Sequence, residues 1–260
     1  MAETFGQRLQ QRVQEFGPLC VGIDPSKTLL ESWGRDDAIE GLEFFALSVL
    51  EAALGNAAVI KPQVAYFERF GAAGYVILER LLSEARDAGM MVIADAKRGD
   101  IGATNEGYAE AWLDDKSPLS CDAVTVSPYT GVAALTPFFD RVPAGKGVFL
   151  LAATSNPEGR TLQEARTLRT RPSRTWCCEA WLSTTATVKA WAALAWCWVP
   201  PDTSRVSTYP VCTDRIWCPV WARRGPPPTR SDGSSPAAPR AAWSSMCREQ
   251  FCRSAPIAGR

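Results

Sequence analysis

The chain reads as an α/β protein of parallel strands and crossover helices, of the (β/α)8 TIM-type barrel lineage, on two observations. Apolar runs of strand length stand at 19–23, 57–60, 90–94, 123–126 and 147–152. Their spacing of roughly thirty residues, with helical stretches between several of them, suits repeated strand–helix–strand units. Each run also ends in a chemically capable group: Asp24, then Lys61, then Asp95, Lys97 and Asp100, then Ser127, then Thr154-Ser155-Asn156. In a barrel of this kind the C-terminal strand ends converge on one pocket, so groups distant in sequence meet there. A doubly wound sheet would usually show a glycine-rich loop after its first strand, and Asp24-Pro25-Ser26 is not one.

Taken in order, Thr4 can cap a first helix, with Gln7 in the capping-box position and Phe5, Leu9, Val13 and Phe16 on one stripe. Gly17-Pro18 ends it. A second helix is expected over 36–54, with Ile39, Leu42, Phe45, Val49 and Leu50 on one face. A third is expected over 75–88, with Val76, Leu81 and Leu82 inward and Gly89 closing it. Cys20 and Cys121 sit in or beside apolar runs and read as core residues.

Composition divides the chain in two. Residues 1–160 carry 14 basic and 22 acidic side chains, whereas 161–260 carry 14 basic and 6 acidic, with Lys189 the one basic residue there that is not arginine. Seven of the nine cysteines and eight of the ten tryptophans fall after position 175, while sixteen of the nineteen glycines fall before 161. The total formal charge is zero, which gives no electrostatic argument for nucleic acid or a membrane surface. No signal peptide or membrane-length apolar run is legible, so the expected location is cytoplasmic and the cysteines are not read as a disulfide framework.

The chemistry concentrates in Asp95-Ala96-Lys97-Arg98-Gly99-Asp100. On a strand, Ile93, Asp95 and Lys97 share one face while Ala94 and Ala96 share the other. A lysine between two aspartates, with Lys61 one strand away, makes an alternating array that lowers carboxylate pKa values and keeps lysines protonated. Such an array can hold an anion against a carboxylate with a proton donor at hand, which suits a reaction that builds negative charge on carbon. A Schiff-base lysine needs a neutral amine, and flanking aspartates oppose that. Each residue alone has an ordinary structural use, Asp24 as a turn former, Ser127 as a cap before Pro128, Lys61 as a surface lysine; their joint occurrence argues otherwise.

Leu-Cys-Val-Gly-Ile-Asp at 19–24, Ile-Lys-Pro-Gln at 60–63, Asp95-Ala96-Lys97-Arg98-Gly99-Asp100-Ile101-Gly102 with Thr104, Val-Ser-Pro-Tyr at 126–129 and Thr154-Ser155-Asn156-Pro157 together resemble the orotidine 5′-phosphate decarboxylase family, in particular its bacterial branch. The resemblance runs through about residue 165 and implies cofactor-free decarboxylation of orotidine 5′-phosphate to UMP, in pyrimidine synthesis, by a homodimer. It implies that Lys97 protonates C6 and that Asp95 stands beside the scissile carboxylate. Asp100 and Thr104 would reach into the neighbouring protomer's site. Lys61 would join the charge network and bind ribose, Asp24 would bind a ribose hydroxyl, and Ser127 would bond the pyrimidine edge; no metal is implied. A metal-dependent sugar-phosphate decarboxylase or synthase barrel shares D-x-K-x-x-D, though the longer block argues against it. A non-catalytic chain with a cysteine- and tryptophan-rich interaction tail is the remaining alternative.

Residues 1–165 thus read as the N-terminal part of the barrel, with about five strands in family frame, and 166–260 as an aberrant tail not expected to fold natively. The family's glycine-rich phosphate segment is missing there, and with no histidine in the chain the tail's cysteines make a weak metal site. Joining the third base of each codon with the first two of the next, residues 216–225 can read L-V-P-G-V-G-A-Q-G, with valine at the Trp217–Cys218 junction and glycine at the Trp221–Ala222 junction forced by tryptophan's single codon. Residues 195–201 can likewise read V-V-L-G-A-T. A shift of reading frame near 165–175 accounts for both. A chain with this tail is expected to leave its first and fifth strands without native partners and to have little or no activity.

Overall fold

The computed structural model describes residues 3–154, 156–166, 177 and 193–197. Its elements are α1 (Phe5–Phe16), β1 (Cys20–Ile23), α2 (Lys27–Ser32), α3 (Ile39–Ala53), β2 (Val59–Pro62), α4 (Ala65–Glu68), α5 (Gly71–Asp87), β3 (Met91–Arg98), α6 (Gly102–Leu113), β4 (Ala123–Val126), α7 (Thr136–Phe139), β5 (Gly147–Ala153), α8 (Arg160–Gln163) and β6 (Ala193–Cys197). The strands form one sheet in sequence order, every neighbouring pair parallel. Among the described residues no helix is long and apolar enough to cross a membrane.

Two hydrophobic layers follow from strand alternation. Cys20, Val59, Met91, Ile93, Ala123 and Phe149 point to the concave side and cluster with Phe5 and Leu9 of α1. Ile23, Ile60, Val92, Ala94, Ala96, Val124, Val126, Val148 and Leu150 point outward and pack against the helices. Both faces of each strand are therefore buried, as parallel sheets require, which is why the strands read as continuous apolar runs.

Helix α1 closes the N-terminal end of the sheet. Its capping box forms as expected, with the Thr4 hydroxyl accepting from Gln7 N and the Gln7 side chain accepting from Thr4 N. Phe5 meets Phe149 edge-on, at 5.9 Å between centroids and 89° between planes. A Cβ on Gly147 would lie 2.7 Å from the Phe5 ring and 2.8 Å from Ala123 Cβ, so glycine there makes room for the plug. Arg12 donates to the carbonyl oxygens of Ala57 and Ala58, tying α1 to the start of β2.

Several elements depart from the sequence expectation. Helix α3 starts at Ile39, not 36, behind an extended Ala38. Helix α5 starts four residues earlier than expected, at Gly71, in a Gly-Ala-Ala-Gly segment without an apolar stripe. Val76, placed inward by periodicity, is 64% exposed, because Ile77, Leu78, Leu81, Leu82 and Ala85 occupy the buried face. Helices α2 and α6 carry no long stripe: α2 has six residues capped by Ser26, and α6 buries Asn105, Ala109, Trp112 and Leu113. Cys20 and Cys121 are buried free thiols, each pushed up to about 12 by desolvation.

The expectation that the fifth strand lacks a neighbour is corrected. Ala193–Cys197 lies parallel to β5, pairing Val148 with Ala193 and Leu150 with Ala195. The run Ala-Leu-Ala-Trp-Cys has no charge and no proline, which makes it a competent parallel strand. The expectations for the other residues of 167–260, including the shifted phosphate motif at 216–225, lie outside the described residues.

Candidate active site

The site assembles at the C-terminal ends of β1 to β4, on the concave side. Lys61 and Gln63 share the inward parity of Val59 on β2, and Asp95 shares that of Ile93 on β3. Gln63 and Asp95 pair as an isolated parallel bridge, which brings the two strand ends together.

Asp95 is the centre. It is 5% exposed, and its Oδ2 accepts from Lys61 Nζ at 3.0 Å. Its Oδ1 accepts from Lys97 Nζ at 2.7 Å and from the Thr125 hydroxyl at 2.9 Å. Burial by itself would raise its pKa, but Lys61 and Lys97 outweigh that and hold the carboxyl below its usual range. For Lys61 burial opposes the charged form, yet Asp95 and Asp24 together raise its pKa. Asp24, at the end of β1, behaves in the opposite way: burial raises its pKa, and attraction to Lys61 offsets that in part. The expected lowering of carboxylate pKa values therefore holds for Asp95. Among the described residues the Asp24 carboxylate receives no hydrogen bond, and Lys61 is the cation that acts on it most strongly.

Lys97 takes a backbone conformation unusual for a side-chain-bearing residue, with φ of 50°. The β3–β4 register slips between Ala94 and Arg98 at the same place. The left-handed residue turns the lysine over the end of its own strand, so that Nζ reaches Asp95 two positions earlier and Gln63 Oε1 at 3.1 Å. Its side chain is 44% exposed, so the ammonium faces the open mouth. Behind it Arg98 points outward and is held by Glu68 and by the Tyr75 hydroxyl, over the rings of Tyr108 and Trp112.

Lys61, Asp95 and Lys97 are thus brought into direct contact, with Asp24 facing them. Ser127 follows β4 and donates its N–H to the Arg98 carbonyl at 2.8 Å. A Cβ on Gly99 would collide with the Ser127 carbonyl, which explains glycine at that step of the motif. Asp100 and Thr104 are not part of the cluster. Asp100 Oδ1 accepts from Ile101 N at 2.8 Å, and its main chain is clasped by the Asn105 side chain. The expected array with Lys97 between two aspartates is therefore half formed within this chain: Asp95 pairs with Lys97, and among the described residues Asp100 makes no ion pair. Thr104 lies exposed on the first turn of α6.

Three residues escaped the sequence reading. Thr125 and Gln63 have the inward parity of their strands, a signal that could have found them; Asn105, fully buried, had none in a helix without a stripe. Among the described residues no three of Cys, Asp and Glu converge as a metal-ligand set.

Comparison with known proteins agrees with this geometry. Residues 17–176 match the model of the orotidine 5′-phosphate decarboxylase / HUMPS family. An orotidine 5′-phosphate decarboxylase of Salinispora tropica is 58% identical over 166 residues, 64% of this chain and 60% of that protein. One from Corynebacterium glutamicum is 54% identical over 162 residues, 62% of this chain and 58% of the relative. The chain therefore spans about three fifths of the length of these relatives. Among solved structures, a Streptomyces avermitilis protein crystallised as an orotidine 5′-phosphate decarboxylase superposes with a TM-score of 0.72 at 45% identity, over 75% of this chain and 69% of that one. The Leishmania donovani OMP decarboxylase gives a TM-score of 0.60 at 32% identity, over 74% of this chain and 70% of that one. With Asp95 set between Lys61 and Lys97 at the strand ends of a parallel α/β sheet, and with the match covering most of the chain, this protein belongs to the orotidine 5′-phosphate decarboxylase / HUMPS family.

Proposed function

We propose that the chain carries the proton-donor half of a cofactor-free orotidine 5′-phosphate decarboxylase, a carboxy-lyase of pyrimidine synthesis acting in the cytoplasm. The observation that carries this is the buried Asp95 carboxylate held between two ammonium groups, with the Lys97 ammonium open to the mouth. A substrate carboxylate brought beside Asp95 meets a fixed negative charge, whereas charge that has moved from the carboxylate onto C6 meets Lys97. The C–C bond breaks, its electron pair stays on C6, CO2 leaves, and Lys97 Nζ delivers a proton to C6. Interactions stronger in that transition state than in the ground state accelerate the reaction.

Asp24 and Lys61 bind ribose, and Ser127 bonds the pyrimidine edge. Asp100 and Thr104 serve the neighbouring site of a homodimer, in keeping with Asp100 turning from its own Lys97 and with Thr104 exposed beside Ile101, itself 63% exposed. Residues 166–260 are the product of a shifted reading frame, so the phosphate anchor is lost and turnover falls with affinity.

The test compares this purified chain with one in which insertion or deletion of a single base near codons 165–175 restores the frame, following loss of orotidine 5′-phosphate absorbance with and without chelator. The restored chain turns over regardless of chelator, and this chain shows little or no activity. Inactivity of the restored chain overturns the decarboxylase assignment. Turnover by this chain equal to that of the restored one overturns the frame-shift reading.

A further inference from the structure

Thr125 lies toward the end of β4, fully buried, and its hydroxyl joins the main chain of Lys97 to the carboxylate of Asp95, both on the neighbouring strand β3. The Lys97 backbone N–H donates to Thr125 Oγ1 at 2.9 Å. Thr125 Oγ1 donates in turn to Asp95 Oδ1 at 2.9 Å. The direction of the second bond is fixed by the first and by charge. A hydroxyl has one proton, the Lys97 N–H uses an acceptor lone pair, and an ionised carboxylate can only accept.

The position matters because β3 loses its regular ladder here. The β3–β4 register slips between Ala94 and Arg98, and Lys97 adopts φ of 50°. A left-handed conformation at a residue with a Cβ is disfavoured and persists where surrounding bonds over-determine it. The Thr125 hydroxyl supplies such a bond in place of a ladder carbonyl. It also joins the Lys97 ammonium on Asp95 Oδ1, leaving Oδ2 to Lys61.

We propose that Thr125 is the positioning residue of this site, its hydroxyl fixing the left-handed turn at Lys97 and the orientation of the Asp95 carboxylate at once. The proposal rests on the decarboxylase reading for its consequence in turnover, but its geometry does not depend on that reading. A plain packing role is the competing explanation. It predicts that Thr125→Val, which keeps the shape and removes the hydroxyl, changes nothing at Asp95, since methyl and hydroxyl fill similar space.

The experiment follows Asp95 in the full-length chain by carboxyl carbon NMR across acidic pH, assigning the signal by its absence in Asp95→Asn. The groups facing Asp95 are Asp24 and Cys20 from β1, Lys61 from β2, Lys97 on its own strand and Thr125 from β4. The wild type, Thr125→Val and Thr125→Ser are compared. Loss of a hydrogen bond to a charged group raises the Asp95 midpoint in Thr125→Val by about one pH unit or more. Thr125→Ser, which keeps the donor, returns it to the wild-type position. An unmoved midpoint in Thr125→Val overturns the proposal, as does a raised midpoint that Thr125→Ser fails to restore. Should Thr125→Val not fold, Thr125→Cys, a weak donor of similar size, carries the same comparison: an intermediate midpoint supports the proposal and an unchanged one overturns it. The frame-restored chain reports the consequence for chemistry separately. There Thr125→Val lowers kcat by roughly 10- to 100-fold with little change in KM, and Thr125→Ser recovers it. A restored chain without activity, alongside a shifted Asp95 midpoint, removes the decarboxylase reading and leaves the positioning role standing.

Discussion

The buried pair of Lys61 and Asp95 gives the sharpest energetic prediction. The two side chains are 8% and 5% exposed and meet at 3.0 Å, so water screens their attraction little. Asp95→Asn keeps the side-chain volume and removes the negative charge, leaving the Lys61 ammonium buried with Asp24 as the remaining carboxylate of the cluster. Breaking a buried pair in this way costs about 3–5 kcal/mol, and the presence of Asp24 places the expected loss at the lower end. The second pair on Asp95 adds little, because the Lys97 side chain is 44% exposed and such pairs contribute under about 1 kcal/mol. Lys61→Met combined with Asp95→Asn removes both charges together. The double variant should be more stable than the sum of the single losses by at least about 2 kcal/mol. Lys27→Ala is the control: its pair with Glu31 spans 3.9 Å between side chains 67% and 56% exposed, and its loss should stay below about 0.5 kcal/mol. Urea unfolding followed by far-ultraviolet circular dichroism reads all five proteins: wild type, Lys61→Met, Asp95→Asn, the double variant and Lys27→Ala. The pH dependence has a definite sign. Asp95 is held below the usual carboxylate range in the folded chain, so its contribution is complete above the unfolded carboxylate pKa. It is lost as pH falls through the lower folded value, and the wild-type and Asp95→Asn stabilities should converge on acidification. A loss under about 1 kcal/mol for Asp95→Asn at pH 7, or additivity of the two substitutions within about 0.5 kcal/mol, would refute the reasoning.

Other outcomes follow from the same geometry. Burial raises the pKa of Asp24, so its ionised form opposes folding at neutral pH; Asp24→Asn should unfold at equal or higher urea concentration while substrate binding weakens in the frame-restored chain, as calorimetry would register. Gly147→Ala should cost about 1–3 kcal/mol in urea titrations, since the new methyl meets the Phe5 ring at 2.7 Å and forces α1 from the end of the sheet. Gly99→Ala should move the turn that carries Lys97, because its methyl collides with the Ser127 carbonyl. The loss should appear in kcat of the frame-restored chain more than in KM.

The strand-end residues were legible because parity and position along a strand are local properties. Asp95 follows Ile93 by two and Lys61 follows Val59 by two, and both point to the concave side as the alternation requires. The edge of β5 was misread, because an uncharged five-residue run such as Ala193–Cys197 gives no periodic signal distinguishing a strand from an apolar stretch of tail. Val76 was misread for a different cause. Helical periodicity selects a face only to within a residue, and packing of α5 against its neighbours settled on Ile77 and Leu78.

By itself the sequence determined the α/β class, the five strands from β1 to β5, the first helix α1 with its capping box, and the charge cluster with its family. Each depends on residues near one another in the chain or on a period that a local window contains. Only the tertiary structure decided that Lys97 turns left-handed over its own strand, that Asp100 faces its own loop, and that the Thr125 hydroxyl links Lys97 to Asp95. The Thr125 link spans 28 and 30 residues of sequence, and each outcome depends on which proton donor wins a given oxygen, a competition settled by packed geometry and not by spacing along the chain.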